Sequence, residues 1–296
     1  MMAIDKNNEY SNNTRQVINS LLSGAVAGAL AKSTIAPLDR TKINFQISNV
    51  PYSAKAAYKF LSETYARNGF FWLWRGNTAT MTRIIPYAAI QFTAFEQWRK
   101  VLKVDSTNIN NNGGRKFISG SLAGVTSQTL TYPLDLARAR MAVTTINEYK
   151  SLGDVFKKTY LEEGVKGFYR GYVPTILGII PYAGTSFFTY GTLKAFIKDK
   201  HGYENAFVNL SCGAVAGMAG QSSSYPLDII RRKMQTSIIT GNNYKSLRTT
   251  FWIVYRSEGI IQGFFKGLSM NWIKGPIATG ISFSTYDFIS TRLKKM

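Results

Sequence analysis

Three acid–base pairs recur at matched positions of this sequence, and each lies just after a proline. The triplet Pro-Leu-Asp occurs three times, and a basic residue follows three positions after each aspartate. A proline inside a helix removes a backbone hydrogen bond and kinks the helix, so three such helices can converge at one end of a bundle. An isolated surface ion pair contributes only roughly 0–1 kcal/mol, but six charges on three apolar helices indicate a network that closes that end. The residues are Asp39 and Lys42, Asp135 and Arg138, and Asp228 and Arg231.

The acid of each copy is expected to reach the base of a neighbouring copy. This rule predicts the ion pairs Asp39–Arg138, Asp135–Arg231 and Asp228–Lys42. Two glutamines, Gln46 and Gln235, stand nine residues after the first and third prolines and are placed to brace the network by hydrogen bonds. The second copy has Ala142 at this position, so the brace should be missing there.

The charged pairs belong to a longer unit that repeats along the chain. The pentapeptide Ile-Ile-Pro-Tyr-Ala occurs at 84–88 and at 179–183, with a looser copy at 274–278. Such even spacing indicates three copies of one supersecondary unit. Each copy reads as a long helix with a proline, a short amphipathic helix and a second long helix. The predicted helices cover 15–46, 53–67 and 77–103, then 115–143, 149–162 and 172–198, and finally 206–236, 245–258 and 268–295.

These units predict an all-α membrane protein, with six transmembrane helices in three pseudo-symmetric repeats and three short surface helices. The stretches 117–133, 171–193 and 207–226 carry no charged residue, and their lengths suit a bilayer span. They are rich in Gly, Ser and Thr, which is common where membrane helices pack closely. The predicted boundaries are a polar N-terminal tail at 1–14 and repeats at 15–104, 115–198 and 206–296, which together form one domain.

Composition narrows the possible partners. The 296 residues carry a formal net charge of +20 with a single histidine and a single cysteine, so anionic partners are expected and a disulfide framework or zinc site is not. No cofactor is expected, and an enzyme is disfavoured because no recurring set of base, nucleophile and oxyanion donors is visible. A soluble basic protein that binds nucleic acid is the alternative from a different class, and the charge-free stretches argue against it.

The repeated motifs resemble those of the mitochondrial carrier family over about 15–296. The family pattern Pro-x-Asp/Glu-x-x-Lys/Arg is present three times, each followed by a Gly…Arg/Lys-Gly pattern. The resemblance implies a six-helix bundle that moves anionic metabolites across the mitochondrial inner membrane by alternating access. It also implies that the charged network described above is the gate on the matrix side, and we expect the carrier to act as a monomer.

The resemblance implies a second gate, on the cytoplasmic side, at the far ends of the second long helices. The family pattern there is aromatic-acid-x-x-base, and it is incomplete in two copies because Gly191 replaces an acid and Ser290 replaces a base. We expect two ion pairs, Glu96–Lys194 and Asp287–Arg99. The cytoplasmic gate should therefore be weaker than the matrix gate, which has three.

The aromatic-base-glycine triplets before the second long helices are a candidate lipid site. Helix N-termini attract phosphate through free amide groups and the helix dipole, and the family uses this pattern for cardiolipin. The candidate lipid-binding residues are Arg75 and Gly76, Arg170 and Gly171, and Lys266 and Gly267.

The candidate substrate site lies at mid-height of the predicted bundle. Three bases, Lys32, Arg83 and Lys274, stand in apolar stretches there, and a charge inside a span is functional by default. We expect them to bind substrate phosphates, because no acid is expected at the same height of the bundle to pair with them. In the family's adenine-nucleotide carriers a glycine and an aliphatic residue stand where this chain has Gly178 and Ile179. This pair and the neighbouring Tyr182 are expected to hold a flat ring, and Gln91 is a further polar candidate.

Longer segments, such as "RGNTATMTRIIPYAAIQF" and "GLSMNWIKGPIATGISF", resemble family members that carry coenzyme A. This implies import of coenzyme A against adenine nucleotides such as ADP or adenosine 3′,5′-bisphosphate. An ATP-Mg/phosphate-type carrier and an ADP/ATP exchanger are the alternatives within the family. The first usually has N-terminal calcium-binding loops, and the second carries an Arg-Arg-Arg-Met-Met-Met run where this chain reads "RRKMQ".

Overall fold

The computed structural model describes residues 2–48, 50–104, 113–144, 148–201, 206–241 and 244–294. Six long helices form the body of this part of the chain. Each repeat contributes a first long helix that contains the proline of the Pro-Leu-Asp motif and a second long helix that contains another proline. The first long helices are α1 (Met2–Ile47), α4 (Gly113–Val143) and α7 (Ala206–Gln235), and the second are α3 (Asn77–Val101), α6 (Tyr172–His201) and α10 (Leu268–Lys294).

A short surface helix connects the two long helices of each repeat, and each begins at a serine cap. The side chain of Ser53, Ser151 or Ser246 accepts a hydrogen bond from the backbone amide three residues on, which satisfies one of the free amides of a helix start. The helices are α2 (Ala54–Asn68), α5 (Leu152–Gly167) and α8 (Leu247–Glu258), followed in two repeats by a 3₁₀ turn at Phe70–Trp74 and by α9 (Ile260–Phe264). The sequence did not separate these last two elements.

The long helices close into a ring because each second helix packs on the first helix of the next repeat. The three most extensive contacts are α3 with α4, α6 with α7, and α10 with α1. Small buried residues such as Ala27, Ala31 and Ala123 allow the backbones to approach closely in this ring. The cyclic order explains why a motif of one repeat meets a motif of its neighbour.

The starts of the second long helices require glycine. Gly76 and Gly171 adopt left-handed backbone angles, with φ of 89° and 82°, and each comes close to the next repeat. A Cβ on Gly171 would lie 3.0 Å from the backbone oxygen of Arg231, and one on Gly76 would lie 3.2 Å from that of Arg138. Any larger residue would therefore push the second helix away from the charged end of its neighbour.

Helix α1 extends through 2–14, which was predicted as a polar tail, because no proline or glycine interrupts that segment. Most of the segment between the first two predicted repeats, 105–114, lies outside the described residues. By hydropathy, none of the helices in the described ranges is both long enough and apolar enough to cross a membrane.

Candidate functional site

The structure contains all three ion pairs expected between repeats at the charged end. Lys42 contacts Asp228 with an Nζ–Oδ2 distance of 3.0 Å. Arg138 donates to Asp39, and Arg231 donates to Asp135. Since each pair joins two different repeats, the three pairs tie together the three first long helices at this end.

Asp135 is the most heavily contacted carboxylate of the network. Its side chain is only 2% exposed, and besides Arg231 it has Arg83 and Arg232 within 3.7 Å. The amide of Gln235 also donates to Asp135 Oδ2 at 2.9 Å, as expected of a brace. Two hydrogen-bond donors and two further guanidinium groups thus surround one buried carboxylate, so Asp135 should be the most strongly held acid of this end.

The other predicted brace binds elsewhere. Gln46 Nε2 donates to the hydroxyl of Tyr225 at 3.3 Å. The carboxylate of Asp228 keeps a 28% exposed side chain and has Lys42 and, at 3.8 Å, Arg231 as its basic neighbours. Water therefore screens this pair more than the one at Asp135.

Two of the three predicted phosphate-binding bases contact acids of the network. Lys274 Nζ lies 2.6 Å from Asp39 Oδ1, and Arg83 Nη1 lies 3.7 Å from Asp135 Oδ1. The expectation that no acid would lie at matching depth was therefore wrong. Long basic side chains extend well away from their own helical level, and these two reach the acid of the next repeat.

The equivalent position of the second repeat is Gly178, which carries no base. Asp228, the acid that such a base would reach by the same rule, is correspondingly the most exposed of the three. The equivalent positions of the three repeats thus hold Arg83, Gly178 and Lys274. This unequal distribution of bases suits an asymmetric ligand.

A cavity of about 690 Å³ opens above this network between α1, α3 and α4. Three of the predicted substrate residues line it: Lys32, Arg83 and Gln91. Lys32 is exposed to this cavity and makes no ion pair or hydrogen bond with the described residues. It lies close enough to Asp39, Lys274 and Arg83 for their charges to interact, so the three bases Lys32, Arg83 and Lys274 form one cationic cluster beside this acid.

A second cavity, of about 400 Å³, adjoins the first and shares Tyr87 and Gly120 with it as lining residues. It contains the three residues expected to hold a flat ring, Gly178, Ile179 and Tyr182. A Cβ added to Gly178 would contact the side chain of Leu227 at 3.7 Å. Because Gly178 has no side chain, the space beside Leu227 in this cavity stays open.

Tyr87 was missed as a candidate, although the repeated pentapeptide contained the signal. It is the repeat equivalent of Tyr182, and it lies where the two cavities meet. The guanidinium of Arg83 stacks on its ring, with Cζ 4.8 Å from the ring centroid. Gln128, the repeat equivalent of Lys32, also lines the smaller cavity and accepts a hydrogen bond from Arg83 at 2.6 Å.

At the opposite end of the helices, the inter-repeat ion pairs are not formed within the described residues. Glu96 instead contacts Arg99 of its own helix at 3.4 Å, in an exposed position. Among the described residues, inter-repeat ion pairs therefore join the helices at the charged end, whereas none joins them at the far end, which is called the open end below.

The bases of the three lipid-site triplets all contact protein groups. Arg75 donates to the backbone oxygen of Tyr149 at 2.7 Å, Arg170 contacts Glu163, and Lys266 contacts Glu258. Burial lowers the pKa of Arg75 from its ordinary value, and the charge of the nearby Glu148 acts in the opposite direction. A lipid phosphate at these sites would rely mainly on backbone amides of the helix starts.

The acids in these contacts form a second buried system that the sequence did not reveal. Glu163 joins Arg170 to the fully buried Arg140, and Glu258 joins Lys266 to the fully buried Lys233. Both systems join a surface helix to the first long helix of its repeat and to the segment just before the second long helix. In the first repeat, asparagines replace both the acid and the buried base, at Asn68 and Asn44.

Comparison with known proteins identifies the class to which this fold belongs. A family model described as "Mitochondrial carrier protein" matches residues 13–106, 110–201 and 203–296. The chain belongs to the mitochondrial carrier family. Members of this family are transporters rather than enzymes, and the chain is a multi-pass protein of the mitochondrial inner membrane.

Several individual relatives are similar along most of their length. The mitochondrial coenzyme A transporter SLC25A42 of Xenopus laevis is 52% identical over 97% of this chain and 89% of its own length. The protein of the same name from Homo sapiens is 50% identical over 95% of this chain and 90% of its own. Solute carrier family 25 member 16 of Homo sapiens is 39% identical over 92% of this chain and 87% of its own.

Proposed function

We propose that this carrier imports coenzyme A in exchange for adenine nucleotides, such as ADP or adenosine 3′,5′-bisphosphate, by alternating access. The observation that carries the proposal is the pair of adjoining cavities. One is lined by bases of the cationic cluster, and the other is lined by Gly178, which leaves space for a flat ring. The similarity to relatives named as coenzyme A transporters supports the same substrate.

The chemistry of the substrate matches the two cavities. Coenzyme A and both exchange partners share an adenine ring and clustered phosphates. We assign the phosphates to the bases of the cationic cluster, which are Lys32, Arg83 and Lys274. We assign the adenine to the smaller cavity, where Ile179 and Tyr182 can pack on its faces.

The contacts between substrate bases and gate acids suggest how binding drives the transport cycle. In this proposal the charged end is the matrix gate and the open end faces the cytoplasm. A substrate phosphate that binds Lys274 or Arg83 competes with Asp39 or Asp135 for the same cation. Bound substrate then weakens the closed matrix gate, and this differential interaction is what a ligand needs in order to shift a conformational equilibrium.

The far end and the helix starts complete the proposal. When the matrix gate opens, Glu96 and Asp287 are proposed to pair with Lys194 and Arg99 and close the cytoplasmic side. Cardiolipin phosphates are proposed to bind the amides that follow Gly76, Gly171 and Gly267. The side chains of the neighbouring bases would then act mainly as structural anchors.

A competition panel tests the substrate assignment. Purified carrier is reconstituted into cardiolipin-containing liposomes, and labelled ADP exchange is challenged with unlabelled coenzyme A, adenosine 3′,5′-bisphosphate, ATP-Mg and inorganic phosphate. We expect the first two to inhibit most strongly. Inhibition by ATP-Mg and phosphate, with none by coenzyme A, would contradict the proposed substrate and indicate an ATP-Mg/phosphate-type carrier. The proposed gates would be unaffected by that result.

A further inference from the structure

The larger cavity has an uncharged wall in addition to its bases. Along α3, Ile84 and Tyr87 line the cavity next to Arg83, and the side chains that line it farther along the helix are Ala88, Gln91, Phe92 and Phe95. The stretch from Arg83 to Phe95 covers about 18 Å of helix at 1.5 Å per residue. The cavity therefore continues well past its cationic part as an apolar strip with a single side-chain amide.

That amide is specific to the first repeat. The equivalent positions, eight residues after Gly178 and Lys274, are Ser186 and Ser282. The hydroxyl of Ser186 already donates to the backbone oxygen of Ala216 at 3.2 Å. Gln91, in contrast, makes no hydrogen bond with any residue that the structure describes, and it lines the cavity. A half-buried amide with no protein partner is available to a ligand.

We propose that this wall, made of Ala88, Gln91, Phe92 and Phe95, receives the pantetheine arm of coenzyme A, and that Gln91 recognises an amide of that arm. The inference rests on the proposed function and adds a subsite to it. A carboxamide offers both a donor and an acceptor, so Gln91 pairs with a secondary amide of either orientation. The aromatic and aliphatic neighbours cover the methylene segments, and no charge opposes a neutral chain there.

The subsite explains how one cavity serves ligands of different length. Adenosine 3′,5′-bisphosphate and ADP carry the ring and phosphates but lack the arm, so they occupy the bases and the smaller cavity only. Coenzyme A fills the α3 wall as well. Discrimination between the substrate and its exchange partners therefore resides in α3 rather than in the shared bases.

The test compares two ligands that differ in the arm. Labelled ADP exchange is measured in proteoliposomes with coenzyme A or adenosine 3′,5′-bisphosphate as the competitor. The quantity recorded is the half-inhibiting concentration of coenzyme A divided by that of the bisphosphate. In Gln91→Ala we expect this ratio to rise about fivefold, the effect of one lost neutral hydrogen bond. Ala88→Leu narrows the same wall and should raise the ratio about tenfold or more. Ser282→Ala, at the matching position of the third repeat, should leave it unchanged.

The outcomes separate the subsite from the proposed function. Equal weakening of both competitors in Gln91→Ala and Ala88→Leu would overturn the subsite while coenzyme A remained a substrate. Failure of coenzyme A to compete in the unmodified carrier, with normal competition by the bisphosphate, would overturn the proposed function and the subsite with it. Labelled ADP exchange in each variant shows that the protein is folded.

Discussion

The proposed matrix gate should depend more on Asp135 than on Asp228. Both acids occupy the same position of their repeats, but their surroundings differ. Asp135 is 2% exposed and is held by Arg231 and Gln235, with Arg83 and Arg232 nearby. Asp228 is 28% exposed. We therefore expect Asp135→Asn to destabilise the carrier more than Asp228→Asn.

The size of the difference follows from burial. Removing one partner of a buried ion pair costs about 3–5 kcal/mol, because the other charge stays buried without compensation. Water reaches the carboxylate of Asp228, so its loss should cost only about 1–2 kcal/mol, between the values of buried and exposed pairs. In a chain of this size, 1 kcal/mol moves Tm by about 2 °C, so Asp135→Asn should lower Tm by about 2–8 °C more than Asp228→Asn does.

The assay is thermal unfolding of the purified carrier in detergent, with no substrate present. Asp287→Asn is the matched control, because it removes an exposed acid at the open end and should change Tm by less than about 1 °C. An equal loss of Tm in Asp135→Asn and Asp228→Asn, or a larger loss in Asp228→Asn, would refute the expectation that Asp135 stabilises this end more than Asp228 does. A large loss in the control would show that charge removal itself destabilises the protein.

Three further predictions concern individual contacts. Lys274→Ala should raise the half-saturating concentration of ADP in exchange assays about tenfold or more, because a charge-assisted contact to phosphate is lost; an unchanged value would remove this base from the site. Gly171→Ala should lower Tm, since the residue has φ of 82° and backbone 3.0 Å from the new Cβ. Gly184→Ala, with open space around it, should be neutral or slightly stabilising, and equal effects in the two glycine variants would contradict this. Glu163→Gln should cost about 3 kcal/mol in unfolding experiments because it leaves Arg140 buried without a carboxylate; a neutral result would show that this contact is weak.

Much of the helical architecture could be predicted because local signals repeat three times. The proline-containing helices, the serine caps and the glycines before the second long helices are all set by local chemistry. The cyclic packing of repeats then follows, and with it the pairing of Asp39, Asp135 and Asp228 with the bases of neighbouring repeats. A single copy of any of these motifs would not have sufficed.

Contacts that depend on side-chain reach could not be predicted. Counting residues placed Lys274 and Arg83 at the level of the cavity, but their charges extend to Asp39 and Asp135 of the charged network. Sequence position fixes a Cα atom, whereas a flexible basic side chain can place its charge a helical turn or more away. Glu163 shows a related limit: its place before a glycine was visible, but its buried partner Arg140 was not.

This carrier is proposed to exchange coenzyme A for adenine nucleotides. The most direct measurement is the initial rate of labelled coenzyme A uptake into cardiolipin-containing proteoliposomes, loaded either with ADP or with buffer alone. We expect saturable uptake that requires internal ADP and that falls about tenfold or more in Lys274→Ala at subsaturating coenzyme A. No uptake of coenzyme A, under conditions where labelled ADP still exchanges with internal ADP, would contradict the claim.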